Sequence, residues 1–250
     1  MFKNVAMLQA RMESTRLPGK VLLPINGKPM IEWQIMRIMR AKLIDRLVIV
    51  IPDTKENDRL FIHLQSLEVD VFRGSLDDVF DRFLQASKKF QSKRIIRLTA
   101  DCPLIMPKMI DQMLEYFDEK EPDYLCNSLI ETLPDGLDIE IFKAELLSEL
   151  TTANLTKPEK EFVTLRIWQN PKLYSILNFP HIYNLGDERW TVDYPEDFSF
   201  VSDIFSYFGN QSVDIEIEDI LRYITLFPEK TNQKSKEFRN IMLKNLNLPE

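Results

Sequence analysis

The chain has 250 residues, 44% of them hydrophobic and 28% charged, and a net charge of −7. A chain of this length can bury one sizeable core, and the acidic balance argues against a general nucleic-acid binder. It has no run of about 18 apolar residues, no signal-peptide pattern, and two cysteines without Cys-x-x-Cys spacing, so a membrane span, a secretory leader, a disulfide framework and a zinc cluster are not expected, and cytoplasm is the expected compartment.

Residues 4–9 read as a buried strand. They run into LQARMESTRLPGK, residues 8–20, which gathers Arg11, Arg16 and Lys20 with Pro18 and Gly19. Residues 1–50 hold nine Lys/Arg against three acids although the whole chain is acidic. That asymmetry points to a local anion site. Residues 29–42 follow with helical apolar spacing and Pro29 in the first turn. Arg37, Arg40 and Lys42 read there as a solvated basic face. Residues 46–51 are a strand, 56–67 a helix and 70–72 a short strand. Residues 75–90 are a helix with Ser75 as N-cap and Asp78 near the capping-box position. Residues 93–101 are a strand ending at Asp101, and 107–118 a helix. This alternation predicts a mostly parallel sheet with helices on both faces.

The second half is less regular. Residues 123–127, 137–142 and 172–179 read as strands, and 143–153 and 158–169 as helices. Residues 189–193 read as a strand ending at Asp193. Residues 195–208 read as a helix with Pro195 at its start and acids in its first turn. Two more helices are expected at 217–226 and 236–246.

Open parallel sheets bind ligands beyond the carboxyl ends of their strands. Those ends are residues 9–20, 52–54, 73–77, 99–103 and 193–196. The first carries cations, and the last two carry Asp101 and Asp193, each followed two residues on by Pro. A phosphate chain could bridge the two sides with a divalent metal between it and the acids. Equally, each Asp could merely cap the next turn or helix. The loop has neither G-x-G-x-x-G nor G-x-x-x-x-G-K-[ST], so its anion would be held by side chains, Arg as a fork and Lys as a mobile point charge. Gly19 marks a tight position. His63 and His181, the two histidines, read as structural.

Gln9-Ala10-Arg11, Ser14 and Arg16-Leu17-Pro18-Gly19-Lys20 resemble the N-terminal signature of the sugar cytidylyltransferases, which make CMP-activated Kdo and CMP-sialic acids. The SpsF-type group of spore coat polysaccharide biosynthesis is the nearest match. INGKPMIEWQI, DDVFDRF, RLTADCPLI and RWTVDYPEDF agree in order, so the resemblance spans residues 1 to about 201. It implies an α/β, Rossmann-like, mostly parallel sheet with helices on both faces, plus a smaller inserted α+β sugar-binding region. Within a single nucleotidyltransferase domain, 1–126 and 186–209 would form the nucleotide core. Residues 127–185 would be a sugar-binding or dimerisation insertion, and 210–250 a helical C-terminal region.

The resemblance further implies transfer of CMP from CTP to an acidic keto-sugar, with release of pyrophosphate, for surface polysaccharide or glycan biosynthesis. Arg11, Arg16 and Lys20 would grip the triphosphate, with Ser14 and Gly19 in the same loop. Leu8, Gln9, Ala10, Arg73 and Thr99 would lie near base and ribose. Asp101 and Asp193 would hold Mg²⁺, and Arg11, Lys20 and Asp101 would carry the catalysis. Arg82, Asn127, Asp138 and Glu140 are candidates for sugar contacts, although Arg82 could instead pair with Asp78. CTP and a sugar are the expected partners, with no nucleic acid and no membrane, and a homodimer fits the insertion. Phe162 stands where related sequences carry His, which puts the identity of the acceptor in question. Another nucleoside triphosphate or a sugar phosphate, a nucleotide-sugar glycosyltransferase, and a non-catalytic nucleotide binder are the competing readings.

Overall fold

The computed structural model describes residues 1–182 and 184–230. The helix expected at 236–246 lies outside the described residues.

β1 (Phe2–Gln9) is followed by a small hairpin, β2 (Pro24–Ile25) and β3 (Lys28–Pro29), and by α1 (Met30–Ile38). Then come β4 (Arg46–Pro52), α2 (Asp58–Ser66), β5 (Asp70–Gly74), α3 (Val79–Phe90), β6 (Ser92–Thr99) and α4 (Pro107–Lys120). β7 (Tyr124–Cys126), β8 (Glu140–Lys143), α5 (Glu145–Leu150), α6 (Lys157–Glu161), α7 (Leu165–Trp168) and β9 (Ile176–Asn178) form the middle of the chain. α8 (Pro195–Phe208) and α9 (Ile217–Leu226) follow.

One seven-stranded sheet has the order β5-β4-β1-β6-β8-β7-β9. β1 pairs in parallel with both β4 and β6, and β4 with β5; β8 runs antiparallel to both of its neighbours. Two-residue periodicity divides the strands between two cores. Ala6 and Leu8 of β1 face the layer of α1, α2, α4, α8 and α9, and Val5 and Met7 face that of α3 and α5. The sheet is thus covered on both faces, which explains the near-continuous apolar runs of β1 and β4. The chain builds outward from β1 through β4 to β5, then crosses back to place β6 on the other side. The gap between the ends of β1 and β6 is therefore a topological switch point.

Three expectations change. Residues 189–193 form no strand. Their polar groups go instead to distant loops: Trp190 and Thr191 donate to the Asp135 carbonyl at 2.7 and 2.8 Å, and Val192 to that of Asp101 at 2.8 Å. Residues 158–169 are two short helices rather than one, broken at Val163, whose φ of 33° interrupts the helix. Arg37 is not on a solvated face. It is 0% exposed and donates to the carbonyls of Ile105 (2.9 Å), Ile215 (2.9 Å) and Ser212. These carbonyls come from loops that local periodicity does not reveal. Arg40 is exposed and pairs with Asp214 at 3.2 Å.

The segment 127–185 contributes β8 and β9 to the main sheet.

Candidate active site

The first loop leaves β1 at the switch point and is tied back on itself. Gly19 and Ser14 both donate to the Met12 carbonyl at 3.0 Å. Gly19 has φ 69°, a left-handed conformation that suits glycine. The buried Asn57 accepts from the Met12 N–H at 3.0 Å and donates to Glu13 at 2.6 Å. The loop thereby acquires a fixed shape before any ligand arrives. The next residue, Lys20, points inward and is 8% exposed.

Lys20 meets the acids. Its Nζ lies 3.0 Å from Asp193 Oδ1 and 3.5 Å from Asp101 Oδ2, and donates to the Val192 carbonyl at 2.6 Å. Burial disfavours the Lys20 ammonium, but Asp101 and then Asp193 outweigh it and hold its pKa above the ordinary lysine value. Burial likewise favours protonated Asp101. The Lys20 charge and the Thr99 hydroxyl outweigh that, so the Asp101 carboxyl stays below the usual range. Arg16 reaches the same Asp193 Oδ1 at 2.7 Å, and its guanidinium lies over the Tyr194 ring at 5.2 Å. Arg11 is exposed beside this cluster in sequence and makes no ion pair among the described residues.

Asp193 is placed from behind by a residue not singled out in the sequence. Arg189, 1% exposed, joins Asp135 Oδ2 (2.7 Å), Asp193 Oδ2 (3.0 Å) and Asp197 Oδ1 (3.1 Å). Asp197 Oδ2 accepts from the Asp193 and Tyr194 N–H groups, both at 2.9 Å. The R-x-x-x-D-x-x-x-D spacing of residues 189–197 was the available signal. Gly136 docks the turn that supplies Asp135. Its φ is 113°, and a Cβ there would run into the Thr191 backbone nitrogen.

Two carboxylates facing one loop of cations fit magnesium chemistry. Mg²⁺ takes one or two carboxylates and completes its shell with water and phosphate oxygens. Among the described residues no group of three or more His, Cys, Asp or Glu side chains converges on one point. A magnesium ion held there by Asp101 and Asp193 would complete its shell with substrate oxygens and water.

The other expected residues are distributed around this centre. Gln9 and Thr99 are register partners at the ends of β1 and β6. Ala10 donates from its backbone to the Val50 carbonyl at 3.1 Å, and Leu8 is buried within β1. Ser14 accepts from Leu17 N–H at 3.4 Å. Arg73 sits farther along the rim, held by Asp53 (2.8 Å) and Asp58 (2.7 Å).

At the start of β8, both oxygens of Glu140 are used. Oε1 accepts from the Tyr124 hydroxyl (2.7 Å) and the Thr164 hydroxyl (2.5 Å), and Oε2 from Arg97. Arg97 also donates to Gln9 Oε1 at 3.2 Å. Asn127, 1% exposed, spans its own loop, donating to the Leu137 carbonyl (2.8 Å) and accepting from Ile139 N–H (2.9 Å). Glu140 and Asn127 thus fix the approach to β8 and its first residue from inside the protein. Asp138 is half-buried nearby, its charge felt at Cys102. Arg82 does not pair with Asp78. Asp78, rather than the expected Ser75, caps α3 through the Asp81 N–H at 2.9 Å, and it pairs with Lys160 at 2.9 Å. His63 lies 3.6 Å from Glu32.

The sequence matches the cytidylyltransferase family profile over residues 5–238. It is 29% identical to the spore coat polysaccharide biosynthesis protein SpsF of Bacillus subtilis, over 92% of this chain and 98% of that protein. It is 34% identical to the 3-deoxy-manno-octulosonate cytidylyltransferase of Trichlorobacter lovleyi, over 45% of this chain and 44% of that one. The solved structure of a cytidylyltransferase from Leptospira borgpetersenii superposes with a TM-score of 0.88 at 29% identity, covering 96% of this chain and 100% of that chain. With a switch-point site of cations facing carboxylates and a family match over nearly its whole length, this chain belongs to the cytidylyltransferases and is a nucleotidyltransferase.

Proposed function

We propose that the protein activates an acidic sugar by transferring CMP to it from CTP. The observation that carries this reading is the convergence of Lys20 on Asp101 and Asp193 at the switch point. A sugar hydroxyl oxygen attacks the α-phosphorus. The new P–O bond forms as the bond to the β-phosphate bridging oxygen breaks, pyrophosphate leaves, and the hydroxyl proton passes to solvent.

Such a displacement depends chiefly on positioning and on neutralising charge. Arg11, Arg16 and Lys20 take the triphosphate, with Ser14 and Gly19 shaping their loop. The backbone of Leu8 to Ala10, with Thr99 and Arg73, lines the base and ribose side. Asp101 and Asp193 would hold Mg²⁺, which would supply further charge neutralisation on the phosphate oxygens. Arg82 and Asp138 face the acceptor, and Asn127 and Glu140 keep that side in register. The similarity to SpsF and to a 3-deoxy-manno-octulosonate cytidylyltransferase supports an acidic sugar destined for a surface polysaccharide.

Among the described residues no helix is long and apolar enough to cross a membrane. A cytoplasmic reaction, where CTP is made, is part of the reading. So is a homodimer, since segment 127–185 exposes Leu129, Ile130, Leu173 and Ile182.

The test is pyrophosphate release from CTP, UTP, GTP and ATP across a panel of acidic and neutral sugars. CTP with a sugar acid should be the productive pair. Turnover with neutral sugars only, or with another triphosphate in place of CTP, would sink the reading.

A further inference from the structure

Among the described residues three arginines are buried almost completely: Arg37, Arg82 and Arg189. Arg37 donates to several carbonyls and Arg189 to three carboxylates. Arg82 differs. It is 1% exposed, and its one hydrogen bond runs from Nη1 to the Ser75 carbonyl at 2.8 Å. Its Nε is buried without an acceptor. Among the described residues no carboxylate lies within ion-pair distance of it.

A guanidinium has five N–H donors, and burying its charge with one neutral acceptor is costly. The surroundings add to the cost. Burial acts first on Arg82, and Arg11 then repels it; Glu13 attracts it, Arg97 repels it again, and together they bring its pKa down to about 10. The stem cannot swing away freely. A Cβ on Gly74 would come within 3.0 Å of Arg82 Cγ, so the side chain is packed directly on that backbone. A cation that is buried, fixed, short of acceptors and flanked by further cations is arranged to receive an anion.

Its position indicates which anion. Arg16 and Lys20 are committed to the Asp193 side of the switch point. Arg82 lies on α3, which packs on α6 and is joined to it by Asp78–Lys160 at 2.9 Å. Arg97, its cationic neighbour, is bonded to Glu140 at the start of β8.

We propose that Arg82 recognises the carboxylate of the acceptor sugar and so selects acidic sugars over neutral ones. The proposal rests on the proposed function for the acceptor's acidity. A phosphate group of CTP is the other source of the same chemistry, and the experiment separates the two.

The variants Arg82→Met and Arg82→Lys are compared with wild type in pyrophosphate release from CTP and 3-deoxy-manno-octulosonate. Thermal unfolding is followed in parallel with that acid, with a sialic acid, with neutral mannose and with inorganic phosphate. Arg82→Met should raise the sugar KM by about tenfold or more, as loss of one buried charge-assisted partner does. The CTP KM should stay within about twofold, and unliganded Tm should hold or rise because an uncompensated buried charge is removed. Arg82→Lys should recover part of the sugar affinity.

An equal rise in the CTP KM would assign the anion to CTP and overturn the proposal. A large fall in Tm would reduce Arg82 to a structural role, and an unchanged sugar KM would remove it from recognition. Should wild type turn over none of the sugar acids, the proposed function fails on its own, and Arg82 is judged from binding. Sugar acids must then stabilise wild type but not Arg82→Met. Equal stabilisation of both proteins, or of neither, overturns the proposal.

Discussion

Lys20 and Asp193, 173 positions apart in the chain, meet Nζ to Oδ1 at 3.0 Å. This contact closes the first loop onto the entry to α8 and sets the cations of one against the carboxylates of the other. Lys20→Met should lower kcat/KM for CTP about 100- to 1,000-fold, the range expected for a preorganised group on developing charge. Steady-state pyrophosphate release with varied CTP measures this. A loss under about threefold would remove Lys20 from the phosphate grip.

The acids should control the metal requirement. Asp101→Asn and Asp193→Asn are each expected to raise the Mg²⁺ concentration for half-maximal rate by about tenfold or more. Titrating Mg²⁺ at fixed CTP reads it directly. An unchanged midpoint in both variants would mean that neither carboxylate ligates the ion.

Acid should unfold the protein partly through Asp197. Burial raises its pKa, but the Arg189 guanidinium and the Asp193 and Tyr194 N–H groups outweigh burial and leave it below the usual carboxylate range. A depressed folded pKa stabilises the native state above the unfolded value of about 3.9 and loses that contribution as pH falls through the folded value. Asp197→Asn should therefore cost about 3 kcal/mol at neutral pH and flatten the loss of stability below about pH 4. Urea unfolding at stepped pH tests this. Parallel curves for variant and wild type would contradict it.

Gly136→Ala should be as damaging as a core truncation although it adds one methyl group. The left-handed φ and the Thr191 backbone leave no room for it. A cost of about 3 kcal/mol is expected, with reduced activity because Asp135, Arg189 and Asp193 move together. A full Tm and full activity would show that the turn can relax.

Glu140→Gln should separate shape from sugar contact. The carboxylate accepts from Tyr124, Thr164 and Arg97, so the amide keeps the size but cannot accept all three donors. Stability should fall by about 2 kcal/mol, and the KM values for CTP and sugar should rise together because Arg97 also holds Gln9. A change confined to the sugar KM would instead make Glu140 a direct contact.

The first half of the fold was readable because parallel strands buried on both faces leave continuous apolar runs separated by helical periodicity. The cationic loop was readable as an anomaly of charge. The periodicity of residues 189–193 reads as a strand, which the fold does not form. The segment's partners are carbonyls at Asp101 and Asp135, about 90 and 55 positions away, and no local pattern encodes them. Arg37 illustrates the same limit. A charged residue in a helix or loop looks solvated until the carbonyls or carboxylates that surround it are assembled from elsewhere. Asn127 stands out at a strand end and Glu140 through the family resemblance of its stretch, yet their hydrogen-bonding capacity is largely consumed inside the protein.

The reversed strand β8 has a consequence for how such enzymes diversify. Because it runs against its neighbours, its first residue, Glu140, opens onto the same rim at which the parallel strands end. The chain thus arrives at the reaction rim through residues 127–139 rather than leaving it. On the proposed assignment, lengthening or rewriting that approach would present a new surface to the acceptor while the β1 and β6 ends stay in place. One sheet can in this way keep a single donor chemistry and exchange the sugars it serves.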